Sequence, residues 1–229
     1  MKIVVFTGAG ISRESGLNTF RDSDGLWEGY DVRQVATIQA WWDNPKLVLD
    51  FYNMRRRDVL NAQPNDAHRA LAELEATHDV TIITQNVDDL HERAGSTNVI
   101  HLHGEILKAR PADDDEHRWV IPWTKDIELG DIDAVGSQLR PHIVWFGEGL
   151  PKLPSAMGIA LADDVDVLIV VGTTLEVYPA ALIATETSAR RVYLVDPRPP
   201  ALQVPNLVRI PEPATVGVRK VVDEIMAGL

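Results

Sequence analysis

The apolar run Ile3-Val4-Val5-Phe6 ends almost at once in Gly8-Ala9-Gly10-Ile11-Ser12. A short buried strand that empties into a glycine-rich turn presents bare backbone N–H groups to an anion. In an α/β protein that turn lies at the carboxyl edge of the sheet, where nucleotide pyrophosphates bind. A simple tight turn would use the same two glycines, so the motif needs support from elsewhere in the chain. The dehydrogenase fingerprint G-x-G-x-x-G is incomplete: its third glycine falls on Arg13, and no acidic residue closes a second strand about 20 positions on. Ser15 to Asp43, with Gly16, Asn18, Gly25, Trp27, Gly29 and Tyr30, reads instead as a long ligand-covering loop.

Further unbroken apolar runs follow at Val80–Thr84, Val99–Leu102, Ile143–Phe146, Val165–Val171 and Val192–Val195. Such runs suit parallel strands covered on both faces. Helical patterns separate them at Asn44–Asn61, Asn65–Thr77, Ser155–Ala162, Pro179–Ala189 and Val216–Ala227. This βαβ rhythm predicts an α/β fold, a doubly wound parallel sheet of Rossmann-like type. Ser15–Asp43 and Glu105–Leu139 break the rhythm and predict a small accessory lobe beside the sheet, with a cleft between the two. The expected organisation is one catalytic domain over 1–229, its small lobe drawn from about 15–62 and 105–139.

Composition excludes several classes of function. A net charge of −12 argues against a phosphate-backbone binder, so no nucleic acid partner is expected. No apolar run reaches the length of a membrane span and no basic-then-apolar leader is visible, so a cytoplasmic location without membrane attachment is expected. The 229 residues include no cysteine. Disulfides, thiolate zinc sites and cysteine nucleophiles are thereby excluded.

Two constellations carry chemistry. His101 and His103 alternate along one strand and share a face. A metal would need further ligands that the chain does not offer convincingly. His103 stands at the strand end before Gly104, where a general base can reach a ligand. The second constellation is a helix capped by Asn44 and opened by Pro45. Leu47, Phe51 and Met54 are expected to face the core, and Val48, Tyr52, Arg55 and Val59 form a neighbouring stripe. Arg55 either snorkels to water or lines, with Tyr52, a pocket for a carboxylate.

Taken together, Gly8-Ala9-Gly10-Ile11-Ser12, Ser15-Gly16-Leu17-Asn18-Thr19-Phe20-Arg21, Gln85-Asn86-Val87-Asp88, His101-Leu102-His103-Gly104, Pro141-His142-Ile143-Val144-Trp145-Phe146-Gly147-Glu148 and Gly172-Thr173-Thr174 resemble, in order, the motifs of the sirtuin family. The resemblance spans nearly the whole chain. It implies NAD-dependent removal of acyl groups from protein lysines, giving nicotinamide, free lysine and O-acyl-ADP-ribose. His103 would be the general base, with Asn86 and Asp88 also catalytic. Ala9, Ile11, Phe20 and Arg21 would surround the pyrophosphate and nicotinamide ribose, Gln85 and Asn86 the ribose hydroxyls, and Asp88 the nicotinamide amide. Gly172, Thr173, Asp196 and Ala214 would hold the adenosine half. Gly8, Gly10, Ser12, Val87, Thr174, Pro197 and Arg198 complete the implied NAD set.

Val144, Phe146 and Gly147 would line the acyl-lysine tunnel, with the peptide pairing against the loop after Phe146. Tyr52 and Arg55 match the Tyr-x-x-Arg pair of members that remove acidic acyl groups such as succinyl, and Ala36 matches the small residue that widens their pocket. The implied partners are acyl-lysine proteins or peptides, and a monomer is expected. An NAD or ADP-ribose binding module, or an NAD hydrolase without deacylation, is the alternative.

Thr19 and Asp196 depart from the more frequent aspartate and asparagine. The larger departure is the absence of the four cysteines that usually hold zinc in the small lobe. No zinc is expected here, and Trp119, Val120, Ile121 and Trp123 are expected to supply an apolar substitute. Asp113 to Glu116 is expected to be a solvated acidic turn.

Overall fold

The computed structural model describes residues 1–18, 26–114 and 116–228. In chain order, β1 (Lys2–Thr7) and two single 3-10 turns (Ala9–Ile11, Arg13–Ser15) precede a hairpin of β2 (Leu26–Trp27) and β3 (Tyr30–Asp31). Helices α1 (Val32–Val35), α2 (Ile38–Asp43), α3 (Pro45–Asn61) and α4 (Asp66–Leu74) come next. They are followed by β4 (Asp79–Thr84), α5 (Leu90–Ala94), β5 (Val99–His101), β6 (Gly104–Pro111), β7 (Ile121–Pro122) and β8 (Leu139–Ile143). The remaining elements are α6 (Leu153–Ala160), β9 (Val167–Val171), α7 (Leu182–Thr185), β10 (Arg191–Val195), β11 (Leu207–Ile210) and α8 (Ala214–Met226).

Six strands form one parallel sheet in the order β11-β10-β9-β1-β4-β5. Side chains alternate between its faces, as the two-residue strand period requires. Ile3, Val5, Ile82, Ile169 and Tyr193 pack with Leu71 of α4 and Val218 of α8. Val4, Phe6, Ile83, Val170 and Leu194 pack with Ala156 of α6 and Ile183 of α7. Each such aliphatic side chain contributes about 1.5–3 kcal/mol on burial. Chain order runs outward from β1 through β4 to β5, then restarts at β9 on the other side. The β1/β9 junction is therefore the switch point, beyond whose strand ends folds of this kind bind ligands.

A third core joins Val48, Leu49, Phe51 and Tyr52 of α3 to Ile106 and Ala109 of β6 and Leu139 and Ile143 of β8. The strands β7-β6-β8 form a separate antiparallel sheet.

Several local expectations are corrected by this arrangement. Ile143–Phe146 is not a strand of the main sheet. The strand is Leu139–Ile143, antiparallel to β6, and the polar residues Arg140 and His142 conceal it in the sequence. The supposed loop from Ser15 to Asp43 contains the β2/β3 hairpin, α1 and α2, each helix capped by a side chain: Asp31 for α1 and Thr37 for α2. The helix expected over Pro179–Ala189 shrinks to four residues. Strand β11 went unseen because Arg209 interrupts its apolar pattern and its face is only half covered. On α3, Phe51 lies in the core as expected, and Leu47 and Met54 pack against it while half-buried.

The expected apolar plug of the small lobe forms only in part: Trp123 packs against the third core, but Trp119 is 68% and Ile121 42% exposed. An ionic centre stands there instead. Arg110 of β6 and Arg140 of β8, both fully buried, donate to the single carboxylate of Glu148 at 3.1 and 2.7 Å. Arg140 also lies 3.4 Å over the ring of Trp145. Asp114 is not a solvated acid: it is buried, accepts from the Trp119 N–H at 2.7 Å, and its carbonyl accepts from Arg110 at 2.6 Å. These contacts tie both strands to the loop after β8.

Candidate active site

At the β1/β9 junction two backbones are in direct contact. Gly8 N–H donates to the Val171 carbonyl at 3.0 Å, and Gly10 N–H to the Gly172 carbonyl at 2.9 Å. Gly172 has φ of +60°, and a Cβ there would lie 2.5 Å from the Ile11 nitrogen. Only glycine meets both demands. Asn65, which the sequence reading overlooked, secures the turn by donating to the Ile11 carbonyl at 2.8 Å and to Ser15 Oγ at 3.0 Å while capping α4. Its Asn-x-x-His capping signature was the available signal.

Beneath the turn, Ser12 Oγ accepts from Asn86 Nδ2 at 3.1 Å and donates to Asp88 Oδ2 at 3.0 Å. Asp88 also accepts from the Leu90 N–H. Burial raises its pKa above the ordinary carboxylate range, partly offset by those donors. Gln85 donates to Thr173 Oγ1 at 3.0 Å, linking the β4 and β9 ends, while Val87 is half-buried and its carbonyl accepts from the Ile106 N–H. Ser12, Asn86, Asp88, Gln85, Thr173, Gly8, Gly10, Ala9 and Ile11 are thus brought to one edge; Thr174 is exposed beside them. Phe20 and Arg21 lie outside the described residues.

Asp196 ends β10, half-buried, and accepts from the Arg198 N–H at 2.7 Å. Burial raises its pKa. Pro197 and Arg198 are exposed, and Ala214 is buried at the first position of α8. Glu14 binds the Thr215 N–H and hydroxyl at 3.0 and 2.7 Å, pinning that helix end to the turn after β1.

The two histidines differ in their partners. His103 Nδ1 lies 2.9 Å from the Gln85 carbonyl, which can only accept, so Nδ1 carries the proton and Nε2 the lone pair. Burial lowers the pKa of His103. His101 meets the Asn86 carbonyl at 3.0 Å and the Glu92 carboxylate at 2.7 Å, two acceptors that favour the cation. Burial alone would lower its pKa, but Glu92 outweighs it and the value rises. Gly104, at φ of +84°, packs against the His142 carbonyl where no Cβ fits.

From His103 a line of contacts runs to α3. The Val144 N–H donates to the His103 carbonyl at 2.9 Å. Trp145 packs on Tyr52, ring centroids 5.9 Å apart. Tyr52 meets Trp27 at 6.4 Å, and the Arg55 guanidinium lies 5.5 Å over that same ring. Ala36 and Phe146 join the set, because the Phe146 N–H donates to the Ala36 carbonyl and the Ile38 N–H to the Phe146 carbonyl. Both Phe146 backbone groups are therefore engaged, and the exposed Gly147 follows it. Tyr52 is fully buried, which raises its pKa. Arg55 is 7% exposed, so the snorkelling alternative does not hold. Its guanidinium meets Glu28 at 2.6 Å, a partner the sequence did not signal.

Among the described residues, no group of three or more His, Cys, Asp or Glu could hold a metal ion, and no helix is long and apolar enough to cross a membrane. The Sir2 family model matches residues 8–179. A protein of Helicobacter pylori (strain ATCC 700392 / 26695) named NAD-dependent protein deacylase is 51% identical over 208 residues, covering 90% of this chain and 89% of that one. A solved Sir2 homologue mutant in complex with ADP ribose superposes with a TM-score of 0.87 at 38% identity, covering 99% of this chain and 92% of that one. A Sir2 homolog–NAD complex gives a TM-score of 0.85 at 37% identity, covering 99% and 90%. With its switch-point turns, its hydrogen-bonded Asn86, Ser12 and Asp88, and a family match over residues 8–179, the chain belongs to the Sir2 family.

Proposed function

We propose that this chain is an NAD-dependent protein lysine deacylase that prefers succinyl over acetyl groups. It works as one catalytic domain in the cytoplasm, as a monomer, on acyl-lysine segments of proteins. The observation that carries this reading is the run of contacts His103–Val144–Trp145–Tyr52–Trp27, which ends on the buried cation Arg55.

The residues at the switch point suit NAD. Asp196 offers a carboxylate at the end of β10 for ribose hydroxyls, and the turns after β1 and β9 offer small residues and backbone groups for the diphosphate. Buried Asp88 can accept from a carboxamide N–H. When bound, NAD supplies an electrophilic anomeric carbon from which nicotinamide departs. His103 Nε2 takes the proton of a ribose hydroxyl, since its neutral tautomer is fixed by Gln85. Val144, Phe146 and Gly147 flank the acyl-lysine stem and keep water from the reacting carbon. Tyr52 and Arg55 receive the distal carboxylate of the acyl group by charge-assisted hydrogen bonds.

Nicotinamide release, measured with NAD alone and with NAD plus acyl-lysine peptide, tests the reading. Release only with peptide supports a deacylase. Equal release without peptide indicates NAD hydrolysis, and no release in either case indicates a binding module.

A further inference from the structure

Arg55 already has a carboxylate. Glu28 Oε1 accepts from its Nη1 at 2.6 Å, with the two side chains only 18% and 9% exposed. Asp58, one helical turn along α3, stands farther off at 3.6 Å and is 44% exposed. Glu28 sits at the tip of the β2/β3 hairpin. There Glu28 and Gly29 both have positive φ, +50° and +81°, the signature of a two-residue turn that usually takes asparagine or glycine first. Its second oxygen accepts from Asn18 Nδ2 at 3.2 Å. Glu28 is thus placed by the hairpin and held from two sides, with Arg55 as its buried anchor.

An acyl group that ends in a carboxylate would bring a third anion to a guanidinium that faces two. Like charges in so closed a space repel strongly, so Glu28 has to yield its place before such a group can be bound. An acetyl group makes no such demand and leaves the Glu28–Arg55 pair intact.

We propose that Glu28 is a resident counter-ion that competes with the acyl carboxylate for Arg55 and thereby sets the acyl selectivity of this site. This rests on the reading that Arg55 receives that carboxylate. Glu28 holds the cation in readiness when no acidic acyl group is present, and weakens the binding of one that arrives.

Steady-state kinetics on matched succinyl- and acetyl-lysine peptides test both levels. Glu28→Gln keeps the size and removes the charge. The ratio of succinyl to acetyl kcat/KM should rise about ten-fold, mainly through a lower KM for the succinyl peptide, as expected when a competitor for a buried ion is removed. Glu28→Asp keeps the charge with a shorter reach and should give an intermediate ratio. Titration calorimetry of the succinyl-lysine peptide should show the same order of affinities without turnover.

In the double variant Glu28→Gln/Arg55→Met the gain should vanish, the mark of two residues acting through one contact. A Glu28→Gln ratio within about two-fold of the parent, while Arg55→Met lowers it tens-fold, overturns the Glu28 proposal and leaves the pocket reading intact. An unchanged ratio in Arg55→Met overturns the pocket reading, and the Glu28 proposal falls with it. Loss of both activities in Glu28→Gln at an unchanged ratio makes Glu28 a structural hairpin residue and also overturns the proposal.

Discussion

The Nδ1–H of His103 donates to the Gln85 carbonyl at 2.9 Å, which leaves Nε2 as the basic nitrogen. Two consequences follow for one side chain. His103→Ala should abolish NAD-dependent deacylation, yet shift the melting temperature by only a few degrees, as for a change of roughly 0.5–1 kcal/mol. The base must also be neutral to work, and burial lowers its pKa below the ordinary histidine value of about 6.5. Deacylation kcat/KM should therefore be flat above that pH and fall only as pH drops through the lowered pKa. A profile whose acid limb lies above pH 7 would contradict the assignment.

Stability should depend on pH through other histidines. Burial holds His68 at about 4 and His142 at about 3, and keeps His91 well below its ordinary value. Each is neutral in the folded chain and titrates near 6.5 when unfolded. Their contribution is thus complete above about pH 6.5 and is lost as pH falls toward the folded values. His68 alone accounts for up to about 3 kcal/mol at full titration. His101, whose folded pKa is raised, has the opposite sign and loses its contribution as pH rises. Asp88, whose pKa is also raised, favours the fold on protonation at low pH. With His117, likewise held at about 4 by burial, these four depressed histidines outnumber the one that is raised, so acidification weakens the fold. Melting temperature should fall between pH 7 and pH 5, measured by scanning calorimetry; a constant value would mean that these rings are hydrated.

Glu148 carries two buried guanidinium groups. Burial would raise its pKa, but Arg140 and Arg110 together hold it low, while burial brings Arg140 down to about 10. Glu148→Gln leaves both cations without a counter-charge, a loss of about 3–5 kcal/mol for a broken buried pair. Melting temperature should drop by about 10 °C at 2–4 °C per kcal/mol. A chelator should leave the parent's melting curve unchanged, since backbone pairing and these ion pairs join β6 to β8. Stoichiometric zinc by elemental analysis, lost together with stability, would refute that account.

Legibility in the sequence followed burial. The strands β1, β4, β9 and β10, covered on both faces, read as unbroken apolar runs and lie close to where their residues predict them. Asn44 and Pro45 announced the start of α3 through their own cap chemistry. Strand β8 was missed because its buried residues include Arg140 and His142, which break the apolar run; Arg140 is buried against Glu148 and Trp145 in the loop that follows. The same holds for the site. His103, Asn86 and Asp88 were legible as motif residues, whereas the Glu28–Arg55 pair spans 27 positions and leaves no periodic trace. Pairings of this kind come from tertiary structure, not from local pattern.

The central claim is acyl transfer from lysine at the expense of NAD, with succinyl preferred. Mass spectrometry of succinyl- and acetyl-lysine peptides incubated with the protein, with and without NAD, tests it most directly. The account predicts unmodified lysine only when NAD is present, appearing faster from the succinyl peptide than from the acetyl one. Loss of acyl groups without NAD, or no loss with it, would contradict the claim.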